Sequence, residues 1–411
     1  MADDRPVKYA IVLIDGSADY PLERIGGRTP LMAANTPLID QLAAEGRCGT
    51  LSTVPDGMTP DSAVANLSVL GYDPVTTYQG RGVLEAASLG VDLADEDVAM
   101  RCNLISLDDG KVLDHSSGHI STEEAAQLLE ALQPILEEGV ELHPGVSYRH
   151  LLVLRGGRYA PEIECWPPHD HVGKPIADMP IRATSDAAEP TAALLNRLTE
   201  ASQPILADHP VNRARREAGK RTADTLLFWA PGRRPTMDTL QDRFGIEGAV
   251  ISAVDLIRGL GRYAGMESIL VEGATGLYDT NYEGKAQAAL DALADHDLVF
   301  VHLEGPDEAG HARDLGLKIY CLESIDRRLL KPLWEGMKER GYRRVVAVLP
   351  DHFTPVERGD HVGEPVPVLI RDPDRDPDGV TQYDERSVEQ GALGQMRCED
   401  FVRTLLWRKL P

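Results

Sequence analysis

Three apolar runs, residues 9–14, 298–303 and 345–349, constrain this chain more than any other feature. Each is the length of a strand, none alternates with polar residues, and such runs belong to strands buried on both faces of a parallel sheet covered by helices. Each also ends at chemistry. The first stops at Asp15, the second is followed by Asp307-Glu308-Ala309-Gly310-His311, and the third by Asp351-His352, with His361 nine residues on. A carboxylate and an imidazole delivered together at the carboxyl end of a strand make half of a divalent-metal site. Here that pattern occurs twice.

The candidate ligands lie both before and after a long middle stretch, so they can meet only if that stretch is inserted into one core. The expected division is a core of residues 1–78 and 241–411 with an inserted α+β domain at 79–240. Two domains also suit 411 residues, more than one hydrophobic core usually serves. Residues 8–72 alternate strand and helix signals, including helices near 37–45, after the cap candidates Asn35 and Thr36, and after Ser62, with a short strand near 49–54. Residues 283–295 read as a helix. Residues 317–340 read as an amphipathic crossover helix kinked or split by Pro332. The middle is richer in Pro, Gly and His, with a helix at 122–133, strand-like 151–154 and 226–229, and a turn-rich 167–174. The fold class is therefore α/β with a mostly parallel sheet.

The formal net charge is −24, with no dense basic stretch against it, which disfavours nucleic acid and anionic membrane as partners. A phosphorylated substrate would meet a repulsive field, so its site must be made locally positive by metals and arginines. Five scattered cysteines without a C-x-x-C pair read as reduced thiols. The first residues carry no apolar leader and no window approaches a membrane span. A cytosolic protein is expected; oligomeric state is not legible.

Asp307 and His311, four positions apart, can face one ion from a single helical turn. Asp351 and His352 are adjacent, so a turn must bring them together or split them between two ions, and His361 can swing back to complete a site. Carboxylates with imidazoles suit Mn²⁺, Zn²⁺, Co²⁺ or Mg²⁺. Ser62 follows Asp61 at the start of a helical pattern, which fits an ordinary N-cap. The same geometry favours a nucleophile, because helix N–H groups stabilise an alkoxide and a bound phosphoryl group. In the middle stretch Arg81, Arg101, Asn103, Asp114, His119, Arg213, Arg233 and Arg234 form a further layer of candidates, since arginine forks phosphate and carboxylate groups, although surface solvation is the commoner fate of any single arginine. Lys285 is either a surface lysine near a helix cap or a phosphate contact. His169-Asp170-His171 reads as hydrogen-bonding loop residues.

The chain resembles the archaeal-type, cofactor-independent phosphoglycerate mutases of the alkaline phosphatase superfamily, including a bacterial branch labelled a proposed homoserine kinase. The resemblance rests on Ile14-Asp15-Gly16, Gly27-Arg28-Thr29-Pro30-Leu31, the segment Asn66-Leu67-Ser68-Val69-Leu70-Gly71-Tyr72-Asp73-Pro74, Gly80-Arg81-Gly82, Arg101-Cys102-Asn103, His209-Pro210-Val211-Asn212, Ala274-Thr275-Gly276, Asp279-Thr280-Asn281-Tyr282, Pro306-Asp307-Glu308-Ala309-Gly310-His311 and Leu349-Pro350-Asp351-His352. It implies an alkaline-phosphatase-like three-layer core interrupted by a substrate-gripping domain. It also implies two divalent ions, one held by Asp15, Asp351, His352 and Ser62, the other by Asp307, His311 and His361. In the implied reaction Ser62 takes the phosphoryl group of 3-phosphoglycerate and returns it to the 2-hydroxyl. The arginines hold carboxylate and phosphate, and His119 is a candidate acid or base. The alternative is phosphoryl transfer to another acceptor, or phosphomonoester hydrolysis, on the same Ser62 and metals. Relatives carry Gly-Ser-Asp at the nucleophile where this chain has Asp61-Ser62-Ala63, and arginine where it has His119.

Overall fold

In a computed structural model, which describes residues 5–409, the chain forms two compact units. One comprises residues 1–78 and 236–411, the other residues 79–235.

The first unit is built on an eight-stranded sheet. Its strands in chain order are β1 (Val7–Ile14), β2 (Arg47–Ser52), β3 (Gly248–Ile251), β4 (Glu267–Ile269), β5 (Leu298–Leu303), β6 (Arg343–Leu349), β7 (Val366–Arg371) and β8 (Gly394–Arg397). Their spatial order is β4-β3-β5-β1-β6-β7-β2-β8. Only β7 runs against its neighbours. The three apolar runs are adjacent: β1 lies between β5 and β6, parallel to both, with Ile14 level with Leu303 and Leu13 with Leu349. Every side chain from Tyr9 to Ile14 is buried. Burial of a large apolar side chain is worth about 1.5–3 kcal/mol, so β1 anchors the sheet.

One face packs against helices α1 (Pro37–Ala44), α4 (Tyr282–Asp295), α6 (Leu315–Ser324) and α7 (Lys331–Glu339), where Ala10, Val12 and Ile14 meet Leu42, Leu293, Leu322 and Leu333. Tyr9, Ile11 and Leu13 alternate to the other face, where α2 (Ser62–Val69), α3 (Asp255–Tyr263) and α8 (Cys398–Leu405) pack together.

Two expectations change in detail. The single crossover helix is α6 and α7 joined by a π-helical segment, Ile325–Leu330, and Pro332 sits in the first turn of α7. A wider turn accommodates the proline ring and the hydrogen bond its missing N–H cannot make. Thr36 makes no side-chain cap for α1; the carboxylate of Asp326, in that π segment, accepts from Leu38 and Ile39 N–H at 3.4 and 2.8 Å.

The second unit is α+β. Its long strand Val98–Asp108 pairs antiparallel with Lys111–Asp114, Arg149–Leu154 and Thr225–Arg233, and helices Thr122–Leu132 and Glu189–Asp208 share its core. All five cysteines are free thiols. Among the described residues no helix is long and apolar enough to cross a membrane.

Candidate active site

The parallel register of β1, β5 and β6 brings three strand ends to one edge of the sheet, where topology places sites in open α/β sheets. Asp15 leaves β1, Asp351 and His352 leave β6, and α5 (Gly305–His311) follows β5 with Asp307 in its first turn and His311 in its last. Gly16 has φ +59°, and a Cβ there would stand 2.5 Å from Asp307 Oδ1. Glycine thus permits both the left-handed turn and the close approach of the two strand ends.

Asp307 is the hinge of one cluster. Its Oδ2 lies 3.1 Å from His311 Nε2 and its Oδ1 3.3 Å from His361 Nε2, while the two imidazole nitrogens are 2.9 Å apart. Thr354 Oγ1 donates to Asp307 Oδ1, and His311 Nδ1 is held by Gly359 O at 3.1 Å. The second cluster is more deeply buried. Asp15 and His352 have no exposed surface, with His352 Nε2 3.6 Å from Asp15 Oδ1 and 3.5 Å from Asp351 Oδ2. Asp351 Oδ1 accepts from Gly16 N and His352 N, and its Oδ2 from Asn66 Nδ2 at 2.9 Å. The clusters are joined, since the His352 and His361 rings stack at 3.8 Å.

Ser62 is the first residue of α2 and its Oγ lies 3.2 Å from His352 Nε2. The cap is supplied by Asp61, whose Oδ1 accepts from Ala63 N at 2.8 Å. Ser62 is thereby left at the positive end of the helix with its hydroxyl turned to the clusters. One turn on, Asn66 Nδ2 bonds both Ser62 O and Asp351 Oδ2, tying nucleophile and ligand candidates into one frame.

The electrostatics are those of a cation site. Burial and then the Asp351, Glu304 and Asp307 carboxylates push Asp15 well above the usual carboxylate range. The hydrogen bond to Asp307 draws His311 up to about 9. Asp307 itself, although burial acts against it, is held low by His311 and His361. Asp15 Oδ1 is buried without a hydrogen-bond partner, and two imidazoles confront each other around one carboxylate. Small dications suit both facts, because carboxylate and imidazole lone pairs converging on one point are their usual ligands.

In the second unit the remaining candidates are held by near neighbours. Arg101 Nε bonds Glu85 Oε2 at 2.6 Å and its guanidinium lies over Trp229, 4.8 Å from the ring centre; Trp229 Nε1 in turn donates to Asn103 Oδ1 at 3.0 Å. Asp114 accepts from the Ser116 hydroxyl and from the Ser116 and Gly118 N–H groups, which hold its pKa low despite partial burial. Those bonds shape a turn in which Ser117, Gly118 and His119 all have positive φ, with the His119 imidazole edge-on to Tyr148. Arg81 opens the helix Arg81–Leu89. Arg233 bonds Tyr159 O, Arg234 bonds Leu93 O, and Arg213 bonds Asp208 O. His171 is fixed by Pro167 O at 2.9 Å and His169 packs on Trp229; neither belongs to a metal-like cluster among the described residues. Lys285 corrects the surface reading. It is buried, its ammonium bonded to His302 O at 2.9 Å, and burial lowers its pKa to about 8.

A family model described as 2,3-bisphosphoglycerate-independent phosphoglycerate mutase matches residues 43–212. A protein of that name from Methanosarcina acetivorans is 46% identical over 402 residues, covering 97% of this chain and 100% of that protein. The chain belongs to the 2,3-bisphosphoglycerate-independent phosphoglycerate mutases. A second relative, 2,3-bisphosphoglycerate-independent phosphoglycerate mutase 2 of Methanothermobacter thermautotrophicus, is 47% identical over 97% of both chains. The solved structure of a cofactor-independent phosphoglycerate mutase from Thermoplasma acidophilum aligns with TM-score 0.70 and 28% identity over 98% of this chain and 100% of that one. The mutase fold thus extends over nearly the whole chain.

Sequence reasoning passes over His302 and Glu304. His302 Nε2 lies 2.7 Å from Asp15 Oδ2 and 3.4 Å from Glu304 Oε2, so both adjoin the buried cluster around Asp15. Their signal along the chain is slight, since His302 lies within an apolar run and Glu304 at its polar end, and only the pairing of β5 with β1 sets His302 against Asp15.

Proposed function

We propose that this chain interconverts 3-phosphoglycerate and 2-phosphoglycerate without 2,3-bisphosphoglycerate, using Ser62 as the nucleophile. The observation that carries the reading is the Ser62 hydroxyl, at a helix N-terminus and 3.2 Å from His352 in a buried cluster of carboxylates and imidazoles. Asp15, Asp351 and His352 with Ser62 would hold one divalent ion, and Asp307, His311 and His361 the other. When bound, such ions supply Lewis acidity and lower the pKa of a nearby hydroxyl; Mn²⁺, Zn²⁺, Co²⁺ and Mg²⁺ all suit the donors.

Ser62 Oγ attacks phosphorus as the bond to the glycerate 3-oxygen breaks, and the proton from Ser62 passes to the departing oxygen. The glycerate then presents its 2-hydroxyl, whose oxygen takes the phosphoryl group while Ser62 regains a proton. The N-terminal N–H groups of α2 steady the charge on the transferring group. Asn66 keeps Ser62 and Asp351 in register. Arg81, Arg101, Arg213, Arg233 and Arg234 would grip the carboxylate and phosphate. His119, on a turn set by Asp114, would move the proton of the glycerate hydroxyls. The protein would act in the cytoplasm, in glycolytic interconversion.

An enolase-coupled assay tests this: 3-phosphoglycerate should be consumed without added bisphosphoglycerate, activity should vanish on chelation and return with Mn²⁺ or Co²⁺. Release of free phosphate in place of 2-phosphoglycerate would instead assign a hydrolase, because a mutase must keep water from the phosphoserine.

A further inference from the structure

Asp15 is held from behind by a relay of two buried side chains, His302 and Ser252. His302, midway through the toggle of β5 side chains, has no exposed surface, and its two ring nitrogens meet different partners: Nε2 lies 2.7 Å from Asp15 Oδ2, Nδ1 3.1 Å from Ser252 Oγ. Ser252, just past β3 and also buried, accepts from Val254 N–H through the same Oγ at 2.9 Å. With that lone pair occupied by a donor, the Ser252 proton is free to point at Nδ1. An imidazole that accepts at Nδ1 carries its hydrogen on Nε2. The N–H on Nε2 then donates to Asp15 Oδ2, whereas the other carboxylate oxygen, Oδ1, has no hydrogen-bond partner. Lys285 fixes the strand itself, its ammonium on His302 O at 2.9 Å.

We propose that the Val254–Ser252–His302 relay is a positioning device for the first ion: it locks His302 in the Nε2–H tautomer, which clamps one oxygen of Asp15 and presents the other for coordination. This rests on the two-ion reading of the site. It also decides the part His302 plays. His302, Asp15 and Glu304 lie close enough together to suggest a further cation site, but a nitrogen that bears hydrogen has no lone pair to give, so His302 is a donor to a ligand and not a ligand. Groups of this kind, removed, typically cost about 10–100-fold in metal affinity.

The test is calorimetric titration of Mn²⁺ into metal-stripped protein, for wild type, S252A, H302F, D15N and H361A, with thermal unfolding of each metal-free form as the folding control. Wild type should bind two ions. H302F and S252A should weaken one of them about tenfold or more and leave the other unchanged, and D15N should remove the same one. A long-range ¹H–¹⁵N spectrum of the metal-free wild type should show the His302 hydrogen on Nε2, and S252A should lose that preference. S252A removes a single oxygen, a far smaller change than H302F, so the proposal stays testable even if H302F fails to fold. If D15N and H361A each remove an ion but S252A binds both as wild type does, or if the hydrogen is found on Nδ1, the relay is overturned alone. If D15N and H361A change nothing, the two-ion reading falls first.

Discussion

Lys318 offers the sharpest stability prediction. Its ammonium is fully buried and has three acceptors: Asp19 Oδ2 at 3.0 Å, Thr354 O at 2.8 Å and Ala18 O at 3.3 Å. Replacing it with methionine keeps the volume and strands Asp19 as a buried carboxylate. Breaking a buried pair from one side costs about 3–5 kcal/mol. Asp19 retains two backbone donors, Val356 N at 3.0 Å and Tyr20 N at 2.8 Å, which brings the expected loss to the lower end, about 3 kcal/mol or a factor of about 150 in the unfolding equilibrium. With a denaturant slope of about 3 kcal/mol/M, K318M should unfold in urea about 1 M earlier. D19N/K318M, which removes the stranded charge as well, should recover about half of the loss or more. A K318M midpoint within about 0.2 M of wild type, or a double mutant whose loss equals the sum of the two singles, would show that Lys318 and Asp19 do not stabilise the fold as a buried pair. The loss should reach the site, since Thr354 shares its loop with Asp351 and His352.

Three further outcomes are expected. S62A should lower kcat about 10³-fold or more in the enolase-coupled assay while the metal-free protein melts within a few degrees of wild type; undiminished turnover would remove Ser62 from the reaction. H361A should bind one Mn²⁺ where wild type binds two, by calorimetry, because it takes one of the imidazoles from Asp307; unchanged stoichiometry would dissolve that ligand set. His150 is buried, and burial holds its pKa at about 3. Its unfolded pKa is near 6.5, so its contribution is present above about pH 6.5 and is lost as pH falls toward about 3, amounting to about 2–3 kcal/mol by pH 4.5. Urea midpoints at pH 6.5 and 4.5 should therefore converge in H150Q relative to wild type, and identical acid sensitivity of the two would contradict this.

The site's ligand-like residues were legible because each sits in the segment that follows an apolar run, and parallel strands necessarily present their ends together. Asp15, Asp307, His311, Asp351, His352 and His361 all carry that local signal. His302 and Ser252 do not. Their relation depends on β3 and β5 pairing with Gly248 level with Leu298, and on β1 lying beside β5, so His302 reads along the chain as one more residue of an apolar run. Lysine misleads for a similar reason: one expectation for Lys285 was a surface lysine, yet the core supplies a backbone carbonyl to receive it, as it does for Lys318 together with a carboxylate. Asp61 and Ser62 compete for one cap on sequence. Only the backbone settles it, since Asp61 is extended and takes the Ala63 N–H. The carboxylates of the acidic run at 372–378 are engaged within the fold, Asp372 by Arg408, Asp374 by Arg343 and Arg408, and Asp378 by the Cys48 and Ala392 N–H groups.

In the mutase reaction proposed for this chain, a phosphoryl group passes through the Ser62 hydroxyl beside the two clusters. Acid quenching of the Mn²⁺-loaded protein during turnover of 3-phosphoglycerate, followed by peptide mass spectrometry, reads this directly. Phosphate on the Ser62 peptide, absent in S62A and in chelated protein, is the expected result. Full mutase turnover with an unmodified Ser62 and phosphate on another side chain would contradict the account.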